Sequence, residues 1–226
     1  MRNSKQLRRQ NIIPSNVRFQ VCLPPPYNVQ VVHCKHKVVN AIEPLYEQRF
    51  EETIDRIVAG IPHDDMGGPL QGLLDRVARL CRRIPQDVNI AFHLCYGDLY
   101  HKHFVEPQDT ALPVKLTNAI LARDNIALRT EWIHLPVPKG RTDPEYFSPL
   151  AGLELHDHIG QGQKPPRLYL GLVHANDEVG TRKRIEMAEA TVPFPFGVAT
   201  ECGLGRTPGE IDNILQICKD VSIEIE

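Results

Sequence analysis

Val88–Phe104, VNIAFHLCYGDLYHKHF, is the stretch on which the reading of this chain turns. Its first half is a short apolar run of strand character that carries His93, Leu94 and Cys95 and breaks at Gly97. Side chains two apart on a strand share a face, so His93 and Cys95 are expected to project together while Phe92 and Leu94 pack the other way. An imidazole beside a thiolate is half of a tetrahedral zinc site. The plain alternative is a core strand holding two packable polar residues, since unpaired cysteine is commonly buried. A second strand-like run weighs against it: Phe196–Glu201 (FGVATE) stops at Cys202-Gly203-Leu204-Gly205-Arg206, another thiol at a strand end.

Outward from these two runs, strands alternate with helices. Val17–Leu23 (VRFQVCL) reads as a first strand, closed by Pro24-Pro25-Pro26, which cannot continue a ladder. Ile126–Leu135 and Arg167–Val173 read as further strands, giving five in all, at 17–23, 88–95, 126–134, 167–173 and 196–201. Helical spacing of apolar residues marks 43–59 and 70–83, the second with Leu70, Leu73, Leu74, Val77, Leu80 and Cys81. Asp109 can cap a helix through Ala122 with Leu112, Leu116 and Ile120 inward and Pro113 in its first turn. Thr181–Ala190 reads as a basic-faced helix. Thr207-Pro208-Gly209-Glu210 has the form of a capping box opening a last helix, with Ile211, Ile214, Leu215 and Cys218 inward. Such alternation predicts an α/β fold with a parallel sheet, open or closed into a barrel. The two helices 43–59 and 70–83 follow one another across a Gly- and Pro-rich junction, Ile61–Pro69, where the alternation calls for a strand.

Composition bounds the function classes. The formal net charge of −2 over 226 residues predicts no affinity for nucleic acid or a membrane surface. No apolar run approaches the roughly 20 residues that span a bilayer. Six cysteines without a signal peptide predict reduced thiols in a cytoplasmic setting rather than a disulfide framework. Residues 1–16 read as a disordered basic tail and 17–226 as a single domain. His33, Cys34 and His36 form a tempting cluster whose spacing fits no tetrahedral pattern, and a surface loop or frayed strand is the expectation there.

In parallel α/β folds the reacting groups gather where the strands end. The residues found there are His93 with Cys95, Glu131 and His134, His174, and Cys202. A set of one imidazole, two thiolates and a carboxylate binds zinc and can exchange one position for substrate. Glu131 and His134 fall on opposite faces of their strand, so at most one of the two is expected to face the metal. Zinc held by thiolates suits one chemistry well: it keeps a substrate thiol deprotonated near neutral pH and nucleophilic toward an alkyl group.

The segments HLCYGD (His93–Asp98), HFVEPQDT (His103–Thr110), EWIHLPVP (Glu131–Pro138), YLGLVH (Tyr169–His174) and FGVATECGLGR (Phe196–Arg206) resemble the carboxyl-terminal catalytic domain of cobalamin-independent methionine synthases. They look still more like its stand-alone relatives in the uroporphyrinogen-decarboxylase and methionine-synthase barrel superfamily. The likeness runs over residues 17–220. It implies a (β/α)8 TIM barrel, here with about five recognisable parallel strands, and a zinc ion held by His93, Cys95, Glu131 and Cys202. It also implies methyl transfer to a zinc-bound thiol, with His174 near the place of a proton donor and Asp98 as a second candidate catalytic group. The chain departs from the family pattern in lacking earlier strands and the acidic strand whose place is taken by Asp64-Asp65-Met66-Gly67-Gly68. A barrel closes on eight strands, so the expectation is a shortened relative, or one that completes its sheet by association with a second copy. The functional expectation is a zinc-dependent methyl or alkyl transferase acting on a small molecule, such as a tailoring enzyme of small-molecule biosynthesis. The alternative is a non-catalytic remnant or scaffold, and a true methionine synthase ranks below both.

Overall fold

The computed structural model describes residues 10, 12, 42, 44–53, 71–96, 98–99, 102–103, 107–123, 125–204 and 207–223. The expected strand over 17–23, the His33–His36 cluster, the junction 61–69 and most of the basic tail lie outside the described residues. Residues 44–53 are helical. After them come helix α1 (Gln71–Arg83), strand β1 (Ile90–His93), the short strands β2 (Asp98–Leu99) and β3 (Lys102–His103), and helix α2 (Ala111–Leu121). The chain continues through β4 (Thr130–Pro136), the short helix α3 (Pro144–Phe147), β5 (Arg167–Val173), α4 (Glu178–Glu189), β6 (Phe196–Thr200) and α5 (Ile211–Val221).

Strands β1, β4, β5 and β6 form one sheet, every neighbouring pair parallel, in an order that follows the chain without reversal. Parallel pairing demands a crossover, and α2, α3 and α4 lie in these connections. The fold is therefore α/β, and four of the five expected strands are present, the one expected over 126–134 starting only at Thr130 because Ile126–Arg129 forms a 3-10 turn. Alternation along β5 sorts its side chains onto two faces. Leu168, Leu170 and Leu172 are buried in the main core with Ile133 and Leu135 of β4 and Ile90 and Phe92 of β1. The other face carries Tyr169, Gly171 and Val173.

Gly171 shows how that second face is shaped. A Cβ there would stand 2.8 Å from the Glu201 Cα and 3.0 Å from the Pro136 Cα, which belong to the chains on either side of β5. Backbone this close on both sides means that the sheet curls across β5 at its carboxyl end, a place where only glycine fits. Gly197 serves a related need, because the Tyr169 ring lies where its Cβ would be.

Several helices differ from expectation in detail. In α2 the buried stripe is Pro113, Val114, Leu116, Thr117, Ile120 and Leu121. Leu112 lies on the far side of it and is exposed. Helix α5 buries Ile214 and Ile217 against Val173, while Leu215 points to solvent. No capping box forms: Glu210 accepts from Asn176 Nδ2 at 3.1 Å instead of turning back to Thr207, and Pro208–Glu210 is a 3-10 turn. Helix α4 begins three residues before Thr181, capped by Asp177, whose Oδ1 accepts from the Gly180 N–H at 3.3 Å. The connection 139–164 contributes Tyr146, Phe147, Leu150 and Leu155 to the core, all at most 1% exposed.

Two arginines tie the connections to the sheet. Arg184 of α4 is fully buried and donates to Leu172 O at 2.8 Å, Lys139 O at 2.6 Å and Asp177 Oδ2 at 2.9 Å. It thus joins the segments that leave β4 and β5. At the opposite end, Arg129 donates to the carbonyls of Cys81, Ile84, Pro85 and Val88.

Candidate functional site

The carboxyl ends of β1 and β4 are held side by side, with His93 in register opposite His134. The ladder goes one bond further, the Leu94 N–H donating to His134 O at 3.0 Å. Along this edge Phe92 and Leu94 are buried while His93 and Cys95 are exposed. Tyr96 then anchors the segment: its hydroxyl donates to Pro136 O at 3.2 Å and lies 2.8 Å from the hydroxyl of the buried Tyr146. With the Tyr96 proton committed to Pro136, Tyr146 is the donor between the two. Burial, reinforced by Tyr96, pushes the Tyr146 hydroxyl well above the usual phenol range. The Arg141 guanidinium covers the ring 4.4 Å from its centroid.

On the far side, β6 ends in a tight turn in which the Thr200 hydroxyl donates to Cys202 O at 2.5 Å. This turn brings Cys202 Sγ to 4.0 Å from His93 Nε2, across 109 residues of chain. The other nitrogen of the same imidazole, Nδ1, is 2.5 Å from His134 Nδ1. The ring centroids are 4.7 Å apart and the planes 17° from parallel. Since the centroid separation exceeds the N–N contact by close to one ring diameter, the rings meet edge to edge in nearly one plane rather than face to face. That is the direction of a nitrogen lone pair and an N–H bond. His134 is buried, with Nε2 lacking a hydrogen-bond partner of ordinary geometry, although the Thr200 backbone favours a proton on this ring. Burial first, then the neighbouring His93, pushes the His134 pKa down to about 3.

Glu131 is placed differently. The β1–β4 ladder passes from Ile90↔Thr130 to Ala91↔Trp132, so Glu131 is the residue skipped at an irregularity. Its carboxylate accepts from Asn89 Nδ2 at 2.5 Å and lies 3.4 Å from Arg167 Nη2. Asn89 and Arg167 mark the amino ends of β1 and β5, and three residues of strand, roughly 10 Å, separate Glu131 from His134. His134 is thus the β4 residue beside His93, and Glu131 stands near the other end of the sheet.

His174, just past β5, lies 2.8 Å through Nε2 from Val137 O and 3.9 Å through Nδ1 from Glu201 Oε2. A carbonyl can only accept, so Nε2 carries the proton and Nδ1 the lone pair. Burial, with help from the Arg184 charge, pushes its pKa down to about 4, leaving the ring neutral at pH 7. Asp98 opens β2, paired in register with His103, and its side chain lies outside the described residues.

A zinc ion bound about 2.0 Å from nitrogen and 2.3 Å from sulfur at a tetrahedral angle holds its two ligand atoms about 3.6 Å apart. The His93 Nε2 and Cys202 Sγ pair, at 4.0 Å, fits that demand as two ligands of a set, and Cys95 projects on the same exposed side as His93. Among the described residues no group of three or more His, Cys, Asp and Glu side chains is arranged to hold a metal. The structure thus brings two of the four expected ligands, His93 and Cys202, together at this edge. Residues that the sequence reading left unused are Tyr96, Tyr146 and Glu201. Tyr96 and Glu201 each adjoin a singled-out cysteine, and that adjacency was the only signal they gave. No helix among the described residues is long and apolar enough to cross a membrane. Comparison of the chain with protein-family models, curated proteins and solved structures finds no match.

Proposed function

We propose that this chain is a zinc-dependent methyl- or alkyl-transferase-like enzyme, derived from a (β/α)8 barrel, that activates a thiol or similar nucleophile on a small molecule. The carrying observation is the meeting of His93 Nε2 and Cys202 Sγ at 4.0 Å on the carboxyl edge of a parallel sheet. The chain-order strand sequence and the curl at Gly171 suit a barrel wall. The resemblance to the catalytic domain of cobalamin-independent methionine synthases supports the same reading. Bound zinc supplies one thing here, a lowered pKa for a substrate thiol. The protein's own residues do the rest: His93 and Cys202 bind, with Cys95 as a further thiolate. The neutral His174 presents an Nδ1 lone pair that can take the thiol proton, with Glu201 3.9 Å away to stabilise the imidazolium.

Metal analysis of the purified full chain tests the proposal. The wild type should carry close to one zinc per chain, and both Cys202→Ser and His93→Ala should lose it. Less than about 0.2 zinc per chain in the wild type, or full zinc in Cys202→Ser, removes the proposal. A second reading draws on the same contact. Cys202, His93 and His134 in sequence have the form of a nucleophilic thiol, its base and the group that orients the base. In that case a metal-free protein would react rapidly with an alkylating reagent at Cys202, and His93→Ala would abolish the enhancement.

A further inference from the structure

His93 and Cys202 belong to opposite edges of the sheet, β1 and β6, with β4 and β5 between them. In a flat sheet three inter-strand spacings, roughly 14 Å, would separate those edges. The 4.0 Å contact between His93 Nε2 and Cys202 Sγ therefore depends on the curl at Gly171 and on how each side chain is aimed across it. His93 is aimed by the ladder, which holds it opposite His134 and goes on through the Leu94 N–H to His134 O. Cys202 has no such frame, because β6 ends at Thr200, in register with Val173, and the thiol stands two residues further on. Across those two residues the Thr200 hydroxyl donates to Cys202 O at 2.5 Å. A local bond from side chain to backbone takes over where the ladder stops. Threonine suits the task, since its branched Cβ leaves χ1 few choices and holds the hydroxyl in place. With its carbonyl drawn back onto the strand end, Cys202 keeps the one orientation in which Sγ meets His93.

We propose that Thr200 is a positioning residue for this edge: its hydroxyl fixes the turn that presents the Cys202 thiol to His93. It acts through Cys202 and is not itself a ligand. This rests on the reading of the His93–Cys202 contact as the functional site and deepens it. A zinc pair and a thiol–imidazole pair need the same approach of sulfur to nitrogen, so the role of Thr200 is common to both chemistries.

The experiment uses the full chain, with Co2+ and Zn2+ alone as probes and two variants. Thr200→Val keeps the branched shape and removes the donor, while Thr200→Ser keeps the donor and removes the branch. In the metal-free state, nuclear Overhauser contacts between the Cys202 β-protons and the His93 ring protons should appear in the wild type and in Thr200→Ser, and fade in Thr200→Val. Thr200→Val should bind cobalt about tenfold more weakly, the upper range of one hydrogen bond, with a weaker thiolate-to-cobalt band. Thr200→Ser should stay within about threefold of the wild type. A loss of folding stability alone would leave that band unchanged. Wild-type contacts and affinity in Thr200→Val overturn the inference. Equal losses in both variants overturn it too, by assigning the effect to the branch instead of the hydroxyl, and so does a wild type without the contacts between Cys202 and His93. A wild type that binds neither cation, with contacts that follow the hydroxyl through the variants, defeats the metal reading and supports the role of Thr200. Should Thr200→Val fail to fold, Thr200→Ala removes the same donor and decides in its place.

Discussion

At the amino end of the sheet every notable polar group is spoken for by architecture. Arg129 spreads its guanidinium over the carbonyls of Cys81, Ile84, Pro85 and Val88, and Glu131 is held by Asn89 with Arg167 close by. At the carboxyl end, Arg184 provides an equally thorough clamp through Leu172, Lys139 and Asp177. Beside it, though, stand His93, His134 and Cys202, which meet one another, and His174, which meets Val137 O and Glu201. The same fold thus uses one end to close the chain and the other to hold reactive side chains in fixed relation. Each end has a clamp, and only the one at the carboxyl end stands beside a cluster of imidazoles and a thiol.

The largest effect should come from the clamps. Arg184 is fully buried and paired with Asp177. Replacing it with Met would strand a carboxylate and two carbonyls, at a cost of about 3–5 kcal/mol. Arg129 is partly exposed and donates its hydrogen bonds to backbone carbonyls, so Arg129→Met should cost about 1–3 kcal/mol. Urea unfolding of the two variants against wild type measures both. A larger loss at Arg129 would reverse the comparison and put the structural keystone at the amino end.

Next comes acid sensitivity, which should belong to the carboxyl end. In the folded chain His174 is pushed down to about 4 from an ordinary 6.5. Between those values the unfolded chain binds more protons than the folded one, so stability is complete above about pH 6.5 and falls as pH drops toward 4. The single group accounts for about 3 kcal/mol over that window. His134, pushed down to about 3, extends the same slope to lower pH. Unfolding of the metal-free protein at pH 7 and at pH 4.5 should show the difference, and His174→Gln should remove much of it. A flat profile would mean that these rings open to water and carry charge, against the burial described above.

How much of this could be read from the chain alone divides along the same line. Strands were legible because Ile90–His93, Arg167–Val173 and Phe196–Thr200 are short apolar runs with sharp stops. The helix faces were less so. In α5 the set Ile211, Ile214, Leu215, Cys218 and the set Ile214, Ile217, Cys218, Val221 share one helical spacing, and the packing of Val173 and Val198 chose the second. The connection 139–164 shows no period at all, yet it buries Tyr146 and Phe147, because single aromatic residues give no pattern for a window to detect. In the site, His93 and Cys202 were singled out by residue type at strand ends. Whether Glu131 or His134 faced them depended on an irregularity in the β1–β4 ladder, and nothing in TEWIHLP announces a skipped residue.

The smallest effect, and the sharpest division between the ends, concerns Glu131. Its ion pair with Arg167 is mostly solvent-exposed on the arginine side, 64%, and such pairs are worth about 0–1 kcal/mol. The Asn89 contact adds a charge-assisted hydrogen bond that an amide can in part replace. Glu131→Gln should therefore cost about 1 kcal/mol in stability and leave zinc content and affinity unchanged, because the carboxylate stands about 10 Å along the strand from His134. His93→Ala should do the opposite, removing the metal with little loss of stability, since the ring is exposed on one side. A Glu131→Gln variant that lost zinc tenfold or more would place the carboxylate among the ligands. It would require β4 to slide toward the amino end when metal binds, and the division of labour between the two ends would then describe the metal-free protein alone.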